Sequence, residues 1–145
     1  MRRPYYNADM YSAVLGIHSY VRWVVVIAGL IILARAIIGL AGRRDWGSSD
    51  SASVRVFSIA LDLQFLLGLA LYVWLSPFIR DAWADMAATM RNAPLRFFAV
   101  EHITGMIIAI ALAHVGKSKI GKAFDAAQKH KLALVFIGLA MVVIM

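Results

Sequence analysis

The chain contains no cysteine. That excludes disulfides, c-type haem attachment, thiolate metal sites and iron–sulfur clusters. Charge is scarce as well: 16% of the 145 residues are charged, against 62% that are hydrophobic. A soluble domain of this size needs a charged surface over its core, and so few charges do not cover one. Acidic residues are the rarer kind, 8 against 15 basic ones, which gives a net charge of +7. A basic balance often points to nucleic acid. Here the charges sit between apolar blocks, so membrane topology explains them and no nucleic-acid partner is expected. The basic N-terminus, Met1-Arg2-Arg3-Pro4, is not followed by a short apolar run with a small-residue cleavage site, so the first apolar block reads as a retained anchor. No soluble domain, low-complexity tract or internal repeat is visible.

What is present is apolar residues in long blocks, and lipid is the solvent that tolerates them. Four spans are expected, at about 10–40, 53–75, 94–116 and 126–145, forming one transmembrane domain over the whole chain. The fold class is all-α, an integral-membrane four-helix bundle with up-and-down topology. Asn7 and Asp9 are candidate N-caps for the first helix, Ser76-Pro77 stops the second, and Pro94 suits the first turn of the third. The apolar stretch from Leu132 is short for a bilayer, so the fourth helix either begins nearer Phe124 or the chain continues past Met145. The segment 77–92 mixes Phe78, Ile79, Trp83 and Met86 with Arg80, Asp81, Asp85 and Arg91, and reads as an amphipathic stretch lying on a membrane surface. Arg43, Arg44, Arg55, Lys117, Lys119, Lys122, Lys129 and Lys131 fall to the first and third connections. The positive-inside rule therefore puts those connections in the cytoplasm of a bacterial inner membrane, with both termini outside.

Ionisable residues within spans are costly and are functional candidates by default. His18 lies nine residues after Asp9, and His102 eight residues after Pro94, on helices that run the same way. Each is roughly 12–14 Å below its helix start. Helices 1 and 3 are diagonal in an up-and-down bundle, so two imidazoles at one depth can take both axial positions of a haem iron. Gly16 and Gly105 flank the histidines, and Gly68 falls at a similar depth on helix 2. These glycines either admit a flat ring or only allow close helix packing. The alternative for the histidines is interhelical hydrogen bonding. Chlorophyll magnesium also takes histidine, whereas a bare transition metal lacks a third inward ligand.

Arg22 shares the face of His18 and is expected either to hold a haem propionate or to pair with Glu101. Arg96 is a second propionate candidate. His114 lies roughly 18 Å deeper than His102 and about 120° round the helix, near the level of His130, so a second, inner haem between His114 and His130 is an alternative to surface histidines. Asp62 and Arg35 are expected to form a structural ion pair, with a proton or quinone site as the other reading. Asp62 and Gln64 point to opposite faces of helix 2.

Three stretches add a resemblance. Ile17-His18-Ser19-Tyr20-Val21-Arg22-Trp23, Phe97-Phe98-Ala99-Val100-Glu101-His102 and Lys129-His130-Lys131 together resemble short bacterial four-helix membrane proteins labelled cytochrome b-like. The likeness covers most of the chain after Met10. It implies the four-helix fold and haem b, with His18 and His102 as first ligands and His114 and His130 second.

The expected function is electron relay through one bis-histidine haem, two being possible. Such a haem has no open position, so the chain is not expected to be an enzyme alone. Expected partners are membrane lipid, other subunits of a respiratory or photosynthetic complex, and a quinone or a soluble electron carrier. The alternative is a cofactor-free structural, assembly or pigment-binding subunit. A transporter is a weaker third reading, given 145 residues and no inverted repeat.

Overall fold

The structure, a computed structural model, describes residues 7–145, so the basic N-terminus with Arg2 and Arg3 lies outside the described residues. Every regular element among the described residues is helical. Helix α1 spans Ala8–Ala41, and the Asn7 side chain caps it by accepting from the Met10 amide at 3.1 Å. Its end is a turn in which Arg43 takes a left-handed conformation with φ 48°. Helix α2 spans Ser48–Ala70 and runs on through a π-helical turn, Leu71–Leu75, until Ser76-Pro77 stops it. Two short helices follow, α3 (Pro77–Ala84) and α4 (Met86–Arg91). A third continuous stretch joins α5 (Ala93–Arg96), a second π-helical turn (Phe97–Glu101) and α6 (His102–Lys122). Helix α7 spans Ala126–Ile144.

Four of these stretches, Ala8–Ala41, Ser48–Leu75, Ala93–Lys122 and Ala126–Ile144, are long and apolar enough to cross a membrane. Two expected boundaries move. The second helix begins at Ser48 rather than near 53, and the third runs to Lys122 rather than 116. Hydropathy marks where a lipid-facing run stops, not where a helix stops. Lys and Ser continue a helix, and cations suit its C-terminal end. Arg55, Lys117, Lys119, Lys122, Lys129 and Lys131 therefore sit on helices, and of the basic residues expected in those connections Arg43 and Arg44 alone lie in one. The fourth helix does begin earlier than its apolar stretch; at 1.5 Å per residue it rises about 28 Å.

Helix α1 packs on α2 and α7, and α6 packs on α7 and on α2, so α1 and α6 stand diagonally as expected. Of these four seams, the one between α2 and α6 is the loosest. The tight side uses small residues. A methyl group at Gly39 would strike the His130 ring, one at Gly29 the Met141 thioether, and one at Gly116 the Phe136 side chain. Close backbone approach of this kind is how helices pack where the surrounding solvent is as apolar as they are. Val25, Ile32, Phe57, Ala113, Ala133 and Ile137 fill the centre. The outside is apolar too: Ile59, Leu66, Ile38 and Trp23 are all well exposed. Helices apolar all round with an apolar exterior are compatible with a multi-pass membrane protein.

The expected ion pair between Arg35 and Asp62 is not formed. Arg35 Nε instead donates to Asp50 Oδ1 at 2.8 Å, and Arg44 donates to the same oxygen at 2.9 Å. The Gly47 amide donates to Asp50 Oδ2 at 2.9 Å. Asp50 is in the first turn of α2, where a carboxylate is favoured by the helix dipole and the free amides. Hydropathy does not mark it, because the apolar run of this helix starts after it. Next to this cluster the Trp46 indole donates to Ser51 Oγ at 2.8 Å and packs against His130, ring centres 4.9 Å apart.

Two outcomes follow for stability in detergent. Asp50→Ala leaves two arginines without their shared carboxylate and is expected to cost about 2–4 kcal/mol, below the full value for a buried pair because both arginines reach solvent. Gly39→Ala is expected to cost about 1–3 kcal/mol by overpacking against His130, whereas Gly16→Ala, with nothing within 4 Å of the added carbon, should be neutral or slightly stabilising. Thermal unfolding of the three variants checks the ordering.

Candidate functional site

The loose half of the bundle holds a half-open cavity of about 370 Å³. Tyr11, Leu15 and His18 line it from α1, and Leu61, Gln64, Phe65 and Gly68 from α2. Phe98, His102, Ile103 and Met106 come from the third stretch, and Phe78 and Ile79 of α3 also line it. Helix α7 contributes nothing. The volume lies in the range of small-molecule and cofactor sites, about 300–1,000 Å³, and the wall has their usual make-up, apolar and aromatic with a few polar groups.

Helix α3, in the segment expected to lie on a membrane surface, also lines the cavity. Ile79 and Ala82 are buried against Ala99, and the Thr89 hydroxyl donates to the Ala82 carbonyl at 2.7 Å. Both π-helical turns border the same space. The Tyr72 hydroxyl in the first donates to the Ala99 carbonyl in the second at 2.7 Å, which ties the two stretches together one turn above His102. Phe97 and Phe98, in the turn that leads into His102, hold its ring at centre distances of 5.9 and 6.1 Å. Single π turns recur at functional sites because they re-aim the side chains that follow them.

His18 and His102 thus line one cavity from diagonal helices. The partner of His18 is Gln64, whose Nε2 lies 3.1 Å from the imidazole Nε2. If the amide nitrogen donates, the ring nitrogen accepts and Nδ1 carries the proton; with the amide turned over, Nε2 donates to Oε1. In either case His18 Nδ1 and the other Gln64 atom stay buried without a partner. Gly68, one turn on, lies against the same ring: a methyl group there would come within 3.0 Å of Cε1. The similar depth expected for Gly68 is therefore observed. The importance of Gln64 was not expected, although its distance along α2 from Gly68, one helical turn, was the signal available.

Other expected site residues fall elsewhere. Gly16 faces open space and Gly105 faces Val143, so neither lines the cavity. Arg22 is exposed, with its guanidinium over the neighbouring Trp23 ring, and is not a cavity residue. Its expected pairing with Glu101 is replaced: Arg96 Nε donates to Glu101 at 2.6 Å. These two are five residues apart across the π-helical turn, whose i to i+5 repeat brings them onto one face. His114 and His130 have different partners. His114 Nε2 is 2.7 Å from Asp62 Oδ1, both side chains partly exposed, whereas His130 is fully buried and contacts the Arg44 carbonyl at 3.1 Å. Asp62 and Gln64 do face opposite ways, as their spacing required.

The class these features define is an all-α bundle with a histidine-lined apolar cavity between diagonal helices. Comparison with protein-family models, with curated proteins and with solved structures finds no match, so what the site does is argued from its geometry.

Gln64→Leu keeps the volume of the side chain and removes its hydrogen bond to His18. The expected loss is about 1 kcal/mol of stability, the usual worth of one interhelical hydrogen bond in an apolar medium. Detergent unfolding of the variant against the wild type measures it.

Proposed function

We propose that the protein is a multi-pass membrane cytochrome in which His18 and His102 would hold one b-type haem in the cavity. The observation that carries this reading is that two imidazoles from diagonal helices line one apolar, aromatic-walled space. The donor set suits haem better than a bare ion: among the described residues no group of three or more His, Cys, Asp or Glu converges on a point. Two neutral imidazoles leave the remaining ligands to be supplied by a macrocycle. The unpartnered Nδ1 of His18 and the space left by Gly68 beside its ring fit the same reading.

Bound there, the haem supplies a one-electron couple. The residues of the chain do the rest. His18 and His102 fix the position, Phe65, Phe78 and Phe98 keep water from the space, and Gln64 orients the His18 ring. With both histidines engaged, the chemistry the haem would supply there is one-electron relay. On this reading the basic helix ends and the Arg43-Arg44 connection face the cytoplasm of a bacterial inner membrane, by the positive-inside rule, and the cavity lies in its outer half. It passes electrons between a quinol or similar donor and a partner subunit or soluble carrier.

One observation favours a second reading. The bond between Gln64 and His18 is of the kind that ties helices together without any cofactor, as in a structural, assembly or pigment-binding subunit. Extraction of non-covalent cofactors separates the two readings: protohaem supports the first, chlorophyll or nothing the second.

The visible spectrum of the dithionite-reduced, purified protein is expected to show a b-type α-band that His18→Ala and His102→Ala each abolish and Asp62→Asn retains. A pyridine haemochrome assay should give about one haem per chain. An intact protein without the band sinks the reading. A ratio near two would add the pair His114 and His130.

A further inference from the structure

Asp62 and His114 form a polar pair where the surface is otherwise apolar. Asp62 is midway along Ser48–Leu75, and its contact with His114, 2.7 Å long, spans the loose seam between α2 and α6. The two side chains are 42% and 47% exposed. Read in a bilayer, this puts an ionisable pair against hydrocarbon near the midplane, where one charged side chain costs about 2.5–3.5 kcal/mol. Mutual hydrogen bonding lowers that cost. It uses one oxygen of the carboxylate and one nitrogen of the ring, and leaves Asp62 Oδ2 and His114 Nδ1 for a further partner.

The surroundings limit what that partner is. By helical spacing, the neighbours of Asp62 on its face are Ile59 and Leu66, bulky and exposed, and those of His114 are Ala111 and Ser118, which are small. The seam offers apolar side chains on one wall and room on the other, with a donor–acceptor pair between them. A flat ring carrying hydroxyl or carbonyl groups, dissolved in lipid, meets each of these features. A second copy of the chain does so less well, because close helix approach needs small residues on both sides. Asp62 is also next to Leu61 and two residues from Gln64, both on the cavity wall. The pair itself does not line the histidine cavity.

We propose that Asp62 and His114 bind the ring of a lipid-dissolved quinol or quinone, Asp62 Oδ2 accepting from a hydroxyl of the quinol and the imidazolium form of His114, its Nε2 on Asp62, donating from Nδ1 to a carbonyl of the quinone. The choice of this ligand rests on the electron-relay reading of the cavity, for which the ligand is the exchange partner. Binding at the pair needs no haem.

The test is photolabelling of the full chain in phosphatidylcholine nanodiscs with an azido-benzoquinone, read by peptide mass spectrometry. Label is expected within two turns of Asp62 and of His114. Asp62→Asn and His114→Leu should each weaken it about tenfold, the worth of one hydrogen bond to a charged group, and Gly16→Ala should not. The α-band and the unfolding temperature of Asp62→Asn serve as the folding controls. Labelling that is unchanged in both variants overturns the proposal. So does disulfide cross-linking of two chains through Ala111→Cys, the sole cysteine in that variant, since it would show the pair covered by a second copy. Label at the pair without an α-band leaves this site standing and removes the haem reading, while an α-band without label at the pair does the reverse.

Discussion

The register of α2 against α1 is set by a single carboxylate. Asp50 takes hydrogen bonds from Arg35 of α1, from Arg44 in the connection and from the Gly47 amide. It thereby pins the foot of α2 to a known level of α1. From Arg35 back to His18 is seventeen residues, and from Asp50 forward to Gln64 and Gly68 is fourteen and eighteen. Two antiparallel helices rising 1.5 Å per residue bring those positions to one level about 25 Å above the pin. That is where Gln64 and Gly68 meet the His18 ring. A slip of one residue at Asp50 would turn each of them about 100° away from it.

The bundle then divides into two kinds of seam. On the α7 side, glycine and alanine let backbones approach, and His130 is enclosed between Gly39, Trp46 and the Arg44 carbonyl. On the α2–α6 side the packing is looser, and both the cavity and the pair Asp62–His114 lie there. Tight packing of one half leaves the other free to hold space, because the connections at the loose end are themselves helical. Helix α3 closes the cavity with Phe78 and Ile79, and the two π-helical turns are joined through Tyr72 and Ala99.

Each ionisable side chain within the spans that makes an ion pair finds its partner by register and not by equal depth alone. Arg35 goes to Asp50, Glu101 to Arg96, and Asp62 to His114. Depth alone would have allowed Arg35 with Asp62 and Arg22 with Glu101. Two of the observed pairs involve a carboxylate close in sequence to its cation, and such pairs form with little loop entropy. Arg22 is left over its neighbour Trp23 at the surface, where a long cationic side chain reaches toward a polar interface.

The sequence by itself determined four apolar helices, their order and direction, a cap at Asn7 or Asp9, the stop at Ser76-Pro77 and the matching depth of His18, His102 and Gly68. These follow from hydropathy, from capping chemistry and from a fixed rise per residue, all of them local. The tertiary structure decided the rest: that Gln64 faces His18 while Asp62 faces His114, that Gly16 and Gly105 look away from the cavity, and that His130 is enclosed on the far side. Rotation about a helix axis is the reason. When every face of a helix is apolar, periodicity marks no inside, and which way a side chain points is fixed only when the neighbouring helices pack against it.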